Sequence, residues 1–433
     1  MRLSVPSGQE SVDLATVDLF DPGLYASGDP HPIWTAMRER SPVHRQTMPD
    51  GRSFWSVTTY DEVNEVLRDH TRFTSQRGTL LSILGGTDPA GGKMMAASDP
   101  PVHTAMREPL MKVLSHRSLK GRMPEIRRLA RRMLAPLAGG GELDLAAAGA
   151  GFPMAFTGAL MGLPEPDWPR LTRLTTMAIA ADDPSFREGS SRGTLVAAHH
   201  ELFDYFARHV RAVTADDRDD LVGFLLRMEV SGRPLELDEI VYNCYSLLLG
   251  ANVTTPHAIA GTVLAFAENP GEYRRLTADP ALVPSAVEEG LRWSSPANHF
   301  LRHAVHDTVL GGTPIAEGEA LVAWLGSANR DERIFEDPFR FDVGRTPNRH
   351  VAFGFGPHYC VGAPLARIAL RVFFEEVVAG VAEFRIAGPV EHLASNFVAG
   401  IKRLPVTADL RESGAGDLAD ALSTGGPLTF PTS

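Results

Sequence analysis

The 433-residue chain reads as mainly α with small β-sheets, folded as a single large domain. Three observations predict that class. Apolar residues recur at helical spacing in one segment after another. Strand-like runs are few. No linker divides the chain into compositional regimes: its 40 glycines and 32 prolines punctuate the helical stretches and stay below the level that signals disorder. A chain of this length buries about three quarters of the surface its unfolded form exposes, so it needs neither disulfides nor a structural metal.

Taken in order, residues 1–20 read as an N-terminal extension, 21–407 as the body, and 408–433, rich in Gly, Asp, Ser and Pro, as a tail. Ser53–Thr58 reads as a strand. Thr59-Tyr-Asp-Glu62 has the capping-box pattern, and Val63, Val66 and Leu67 follow at helical spacing. Glu125–Leu134, Met154–Gly162, Leu195–Val213 and Leu282–Trp293 read as amphipathic helices. The longest helix opens with Asp238 as N-cap and runs to Asn269, ahead of Pro270. At 1.5 Å per residue it is about 48 Å long, enough to cross a whole domain. Gly311–Trp324 reads as strand with a turn at Glu317-Gly318. No internal repeat recurs at solenoid or propeller periods.

Composition excludes several function classes. Lys+Arg 42 against Asp+Glu 53 leaves a net charge of −11, which argues against a nucleic-acid binder that neutralises phosphate. Residues 1–30 carry Asp13, Asp18 and Asp21 and no apolar run, so neither a signal peptide nor an anchor helix is expected. Eighteen uncharged apolar residues never occur in a row, so no membrane span is expected and a cytoplasmic location is. Two cysteines, Cys244 and Cys360, are too few for a disulfide scaffold, a four-cysteine zinc site or a cysteine-ligated iron–sulfur cluster.

Cys360 lies in Phe353-Gly-Phe-Gly-Pro-His-Tyr-Cys-Val-Gly362, ahead of Ala363-Pro-Leu-Ala-Arg367 and an apolar-periodic run of Ile368, Val372, Phe373 and Val377. Pro364 suits a first helical turn. Glycines allow a backbone that bends tightly and approaches a flat ligand. The backbone N–H groups and dipole of a helix start favour thiolate over thiol. A thiolate cradled by glycines, with Phe353 on the same loop, is what a haem iron needs from a cysteine ligand, because it pushes electron density onto the metal.

The ten-residue loop resembles the haem-binding loop of the cytochrome P-450 family, of the soluble bacterial type, and the resemblance covers roughly residues 20 to 407. It implies a triangular-prism fold with a long kinked central helix over haem b, iron protoporphyrin IX. Cys360 becomes the metal ligand, with Phe353 and Gly362 in its cradle. Asp99-Pro-Pro-Val-His-Thr-Ala-Met-Arg107 resembles the segment that holds haem propionates; His103 and Arg107, four apart, share a helix face. By the same resemblance Arg302 and His358 are further donors to those carboxylates. Glu289-Gly-Leu-Arg292 and Phe341-Asp-Val-Gly-Arg345 match the family's ion triad of Glu289, Arg292 and Arg345, a fold specifier rather than a catalytic group. Cys244 reads as a small apolar filler on the long helix.

That helix carries Leu247-Leu-Leu-Gly-Ala-Asn-Val-Thr-Thr-Pro-His257 where the family's usual pattern is Ala-Gly-x-acid-Thr. Gly250 and Ala251 are swapped in order, Thr254 keeps the hydroxyl position, and Val253 stands in place of the acid. Pro256 has no N–H to bond the carbonyl of Asn252, so the preceding turn loosens. Oxygen activation consumes two protons delivered by hydrogen bonds. Thr254 and Asn252 are the expected catalytic residues, and the proton source stays open between Asn252, water, His257 and a substrate hydroxyl. Leu84, Met95, Ala251, Val253, Phe300 and Val398 are expected to line a pocket for a medium-to-large, mainly apolar small molecule, as used in secondary metabolism. The chain has no room for a flavin domain, so ferredoxin and ferredoxin reductase are the implied electron donors for O₂ chemistry. Between His103 and Arg132, nine Lys and Arg residues face only Glu108 and Glu125, a basic island suited to an acidic donor. The competing expectations are oxidative coupling, desaturation or cyclisation without oxygen insertion, and a haem protein without turnover.

Overall fold

The computed structural model describes residues 12–27, 29–214, 218–411 and 416–421. Helices dominate it, and the sheets are small. Five strands form the largest sheet, in the order Val43–Thr47, Ser53–Val57, Ala320–Trp324, His299–Ala304 and Phe73–Thr74. Ser53–Val57 pairs antiparallel with Val43–Thr47 (Val43 opposite Val57) and parallel with Ala320–Trp324 (Trp55 opposite Leu321). The expected strand over Gly311–Trp324 divides. Thr308–Leu310 and Thr313–Ile315 make a hairpin that turns on Gly311 and Gly312, both at positive φ. Ala320–Trp324 then enters the main sheet, buried at every position, which is why it shows no alternation.

The long helix is interrupted. Leu237–Asn252 and Thr255–Glu268 flank a turn at Val253–Thr254, where the ladder closes with Val253 N–H on the Leu249 carbonyl at 3.1 Å. It reopens with Ala258 N–H on Thr254 at 3.0 Å. Pro256 lies in the first turn of the second half, where its missing N–H costs nothing. The N-cap is Glu236, boxed with Glu239, rather than Asp238, whose carboxylate pairs with Lys93 at 2.6 Å. Of the described helices, only Leu237–Glu268 is long and apolar enough to cross a membrane, and 67% of its most apolar window is buried inside the protein.

Other starts shift for similar reasons. The helix expected from Met154 begins at Leu145, capped by Asp144, because residues 145–153 are apolar on all sides and carry no amphipathic stripe. The Leu195–Val213 helix spans Ser191–Arg211 with Ser190 as its cap, and the Leu282–Trp293 helix spans Val283–Ser294. Helix Tyr60–Arg68 buries Val63, Val66 and Leu67 as expected, but the capping box does not form. The Thr59 hydroxyl bonds Glu62 directly, and the Tyr60 N–H goes to Asp331, 2.8 Å away on a distant segment.

Two apolar cores flank the site. One joins helices Met123–Leu134, Leu145–Leu160, Thr255–Glu268, Val283–Ser294 and Ala363–Gly380. The other joins Trp168–Met177, Ser191–Arg211 and Leu237–Asn252, and holds Cys244 fully buried. Both expected terminal boundaries fall within packed structure. Leu19 is fully buried and its carbonyl accepts the Tyr25 hydroxyl at 2.9 Å. Strand Pro405–Leu410 runs across the 407/408 boundary to pair with Val381–Ile386, and Leu418 is buried in the first core. Residues 1–11, 412–415 and 422–433 of the expected extension and tail lie outside the described residues.

Candidate functional site

The Cys360 loop is a turn between a 3-10 segment, Gly356–His358, and helix Ala363–Gly380. Cys360 N–H bonds the Phe353 carbonyl at 2.8 Å, and Ala363 N–H bonds the Cys360 carbonyl at 3.2 Å. Gly354 and Gly356 sit at φ +73° and +71°. A side chain at Gly356 would also meet the Arg68 Cα at 2.6 Å and the Leu67 carbonyl at 2.8 Å, so the loop presses onto helix Tyr60–Arg68 as only glycine permits. Arg367 braces the turn from below. It grips Glu288 with Nε and Nη2 at 2.7 and 2.8 Å, bonds the Tyr359 hydroxyl at 2.7 Å, and stacks 4.5 Å from the Phe353 ring.

Burial pushes the Cys360 thiol up, against the pull of the Gly362 and Ala363 N–H groups and the Arg107 charge. The helix start thus acts in the expected direction, with burial opposing it, and a cation bound at the sulfur would favour the thiolate.

Beside the cysteine, His103, Arg107, Arg302 and His358 converge from three elements. The His103 and His358 rings are 4.2 Å apart, and His358 bonds the Ser75 hydroxyl at 3.1 Å. His103 is 2% exposed, yet neither ring nitrogen has a hydrogen-bond partner among the described residues. Arg302 is equally buried; its guanidinium bonds the Leu301 carbonyl at 2.8 Å and pairs with no carboxylate among the described residues. The neighbouring Asp99 is taken up by Thr74 and by the Ser75 N–H at 3.0 Å. Burial lowers Arg302 to about 10, His103 to about 4 and His358, with added repulsion from Arg302, to about 2. The histidines are therefore neutral N–H donors near neutral pH, and the arginines carry the charge. Buried donors and cations without acids are costly unless anions complete them. The set fits the two carboxylates of a haem.

These groups border one cavity of about 1070 Å³, with Cys360, Phe353 and Gly362 on one side and Gly250, Ala251, Val253 and Thr254 from the broken helix on another. Leu84, Met95 and Phe300 line it as expected. Val398 does not: it is fully buried against Ala180, Val253 and Leu393, and its neighbour Phe397 lines the cavity instead. Successive residues of an extended segment face opposite ways, and the backbone bridge from Ala297 to Val398 fixes which one faces in.

Asn252 is also displaced from its expected role. Its amide bonds the Leu248 carbonyl at 2.8 Å, its Oδ1 is buried without a partner, and it does not line the cavity. One helical step of 100° separates it from Ala251, which does line it. His257 turns to the Ile401 N–H at 3.3 Å and lies outside the lining as well. Thr254 lines the cavity, its hydroxyl 3.3 Å from the Gly250 carbonyl. Thr255, unforeseen, lines it too; the only sequence signal for it was adjacency to Thr254.

The ion triad is assembled as the family resemblance implied. Glu289 and Arg292 pair at 2.7 Å with both side chains fully buried, and Arg345 joins at 3.2 Å. Asn348 and the Asp342 N–H complete the carboxylate, and none of the three charges lines the cavity. The basic island is partly neutralised. Arg127 pairs with Glu375 at 2.6 Å, Arg131 with Glu376 at 2.6 Å and Arg122 with Glu125 at 3.4 Å. Lys112, Arg117, Lys120 and Arg128 remain exposed.

A cysteine held in a glycine turn, a broken helix across the cavity and a buried cation cluster beside it define a haem-thiolate protein. Residues 191–380 match the family model described as Cytochrome P450. Cytochrome P450 126 of Mycobacterium tuberculosis is 36% identical over 414 residues, covering 91% of this chain and 97% of that one. Linalool 8-monooxygenase of Pseudomonas putida is 33% identical, covering 90% and 98%. The crystal structure of P450 OxyD, involved in the biosynthesis of vancomycin-type antibiotics, superposes with a TM-score of 0.81 at 33% identity, covering 92% and 100%. The chain belongs to the cytochrome P450 family, with that family's fold and haem cofactor, and is a cytochrome P450 monooxygenase.

Proposed function

We propose that the chain holds haem b through Cys360 and inserts one atom of O₂ into a medium-to-large, mainly apolar small molecule of secondary metabolism. Electrons come from a ferredoxin and its reductase, in the cytoplasm. The observation that carries this reading is the placement of Cys360 and Thr254 on one cavity, with His103 and with Arg302, which pairs with no carboxylate among the described residues, beside them. The cavity's mainly apolar lining supports the substrate class, as do relatives named for action on linalool, a steroid and cyclomarin C.

When bound, the haem supplies O₂ activation at the cost of two electrons and two protons. The chain's own residues do the rest. Arg107 and Arg302 carry the charges that meet the propionates, and His103 and His358 add N–H donors. The Thr254 hydroxyl, at the break in the helix, holds and passes a proton at Oγ1. The loosened turn leaves its neighbours' backbone groups available to water. Leu84, Met95 and Phe300 exclude bulk water and position the substrate.

Val253 offers no carboxylate to recharge Thr254, and Asn252 and His257 face elsewhere. Water or a substrate hydroxyl is then the proton source. This same gap supports a second outcome, oxidative coupling, desaturation or cyclisation without oxygen insertion. Val253→Glu separates the cases: with substrate-assisted delivery, product formed per electron consumed stays level or falls with the natural substrate. A severalfold rise would sink substrate assistance.

The exposed Lys112, Arg117 and Lys120 form the docking patch for an acidic ferredoxin. Reversing all three charges should slow first-electron transfer by about tenfold at low salt, with the difference shrinking as salt rises. An unchanged stopped-flow rate would remove this patch from the route. The reading as a whole is tested by screening compounds for a haem spin-state change, then running turnover under ¹⁸O₂. One heavy oxygen in the product supports monooxygenation; a product oxidised without it selects the second outcome.

A further inference from the structure

The cavity wall farthest along the broken helix from Thr254 differs from the rest. Tyr242, Tyr245, Ser246 and Leu249 repeat at helical spacing and all line the cavity. Helix Ser191–Arg211 supplies His199 and Phe203, four apart on one face, to the same wall. Phe203 packs 4.9 Å from the Tyr245 ring and 5.4 Å from Tyr242, edge to face in both cases. The Tyr245 hydroxyl and His199 Nε2 are 3.0 Å apart. Among the described residues neither group has a second polar partner.

That pairing leaves a vacancy in the hydrogen-bond count. A phenol and a neutral imidazole hold two donors between them and use one on each other. Burial disfavours a charged His199, and with the imidazole neutral the pair retains one N–H or O–H for a third group. Tyr245 is 9% exposed, and a donor left unmade at such depth costs free energy. The wall around Leu84 also carries polar side chains, Arg52, Thr79 and Ser82, with Arg52 already donating to the Leu84 carbonyl at 2.9 Å. Tyr245 precedes Thr254 by nine residues, about 13 Å along a helix axis.

We propose that the substrate carries an aryl ring bearing a hydroxyl or carbonyl oxygen, seated against Phe203, Tyr242 and Tyr245 and hydrogen-bonded to the Tyr245–His199 pair. The carbon that is oxidised lies about 13 Å away, beside Thr254. This assignment rests on the monooxygenase reading and adds the far half of the substrate to it.

The test uses the haem-loaded enzyme and three imidazoles, since an imidazole nitrogen ligates iron and reports binding optically without turnover. Each carries the same linear linker of about 13 Å. They end in 4-hydroxyphenyl, phenyl and cyclohexyl. The expected order of affinity is hydroxyphenyl, then phenyl, then cyclohexyl, with about tenfold between the first and the last. Tyr245→Phe, which keeps the ring, and His199→Leu should each weaken the hydroxyphenyl probe about fivefold and leave the cyclohexyl probe within about twofold. The ferrous carbon monoxide spectrum of each variant reports an intact fold. Equal affinities for the three probes, or equal losses on all three in the variants, would overturn the aryl-oxygen subsite while leaving the monooxygenase reading standing. If no imidazole shifts the Soret band of wild-type protein, the cavity does not take a ligand of this reach at the iron and this assignment fails, whereas a ferrous carbon monoxide band without the red shift would overturn the haem-thiolate reading.

Discussion

Cys360→Ala should abolish the red-shifted Soret band of the ferrous carbon monoxide complex completely, while Cys244→Ala keeps it. The shift requires a thiolate on iron, and these two residues are the only cysteines in the chain. Cys244 is fully buried on the broken helix, and burial pushes its thiol up to about 12, far from thiolate at neutral pH. Cys360 sits on the cavity with the Gly362 and Ala363 N–H groups at its sulfur and the Arg107 charge nearby. Haem should still associate with the alanine variant, because the arginine and histidine cluster proposed to meet the propionates is untouched. The measurement is therefore spectral, paired with a haem-to-protein ratio. A variant that retains the red-shifted band would disprove the ligand assignment.

Glu289→Gln should destabilise the fold by about 3–5 kcal/mol, the usual cost of stripping the counter-charge from a buried pair. The carboxylate is fully buried and serves Arg292, Arg345, Asn348 and the Asp342 N–H together. Removing its charge strands two guanidinium groups, one of them fully buried. Burial already lowers Arg292, with Glu289 the main opposing influence. Denaturant unfolding of wild type and variant gives the difference. Replacing Glu289 and Arg292 together by Gln and Met should recover part of the loss, because no charge is then left unpaired at position 292. A loss below about 1 kcal/mol for the single variant would show the triad to be ordinary surface-like pairing.

Much of this site was readable from local spacing. Glycines at 354 and 356 announce a turn that side chains cannot make, and Pro256 announces a broken helix. Glu289 and Arg292, three apart, announce a shared face. Each of these constraints acts within a few residues, through backbone sterics or one turn of helix, so the sequence expresses it directly. Placement between segments was not readable in the same way. The capping box at Thr59–Glu62 gave way to Asp331, more than 250 residues on. The basic island lost Arg127 and Arg131 to acids on helix Ala363–Gly380.

The sequence by itself determined the class of chemistry, the cysteine loop, the break in the central helix and, through its resemblance to the family, the buried triad. Tertiary structure decided which neighbours reach the cavity: Thr255 rather than Asn252, and Phe397 rather than Val398. It alone brought His199 to Tyr245, 46 positions apart, in a wall of aromatic rings. The physical reason is range. Backbone geometry is set by neighbours in the chain, whereas the side that an extended or broken segment presents is chosen by what packs against it from far away.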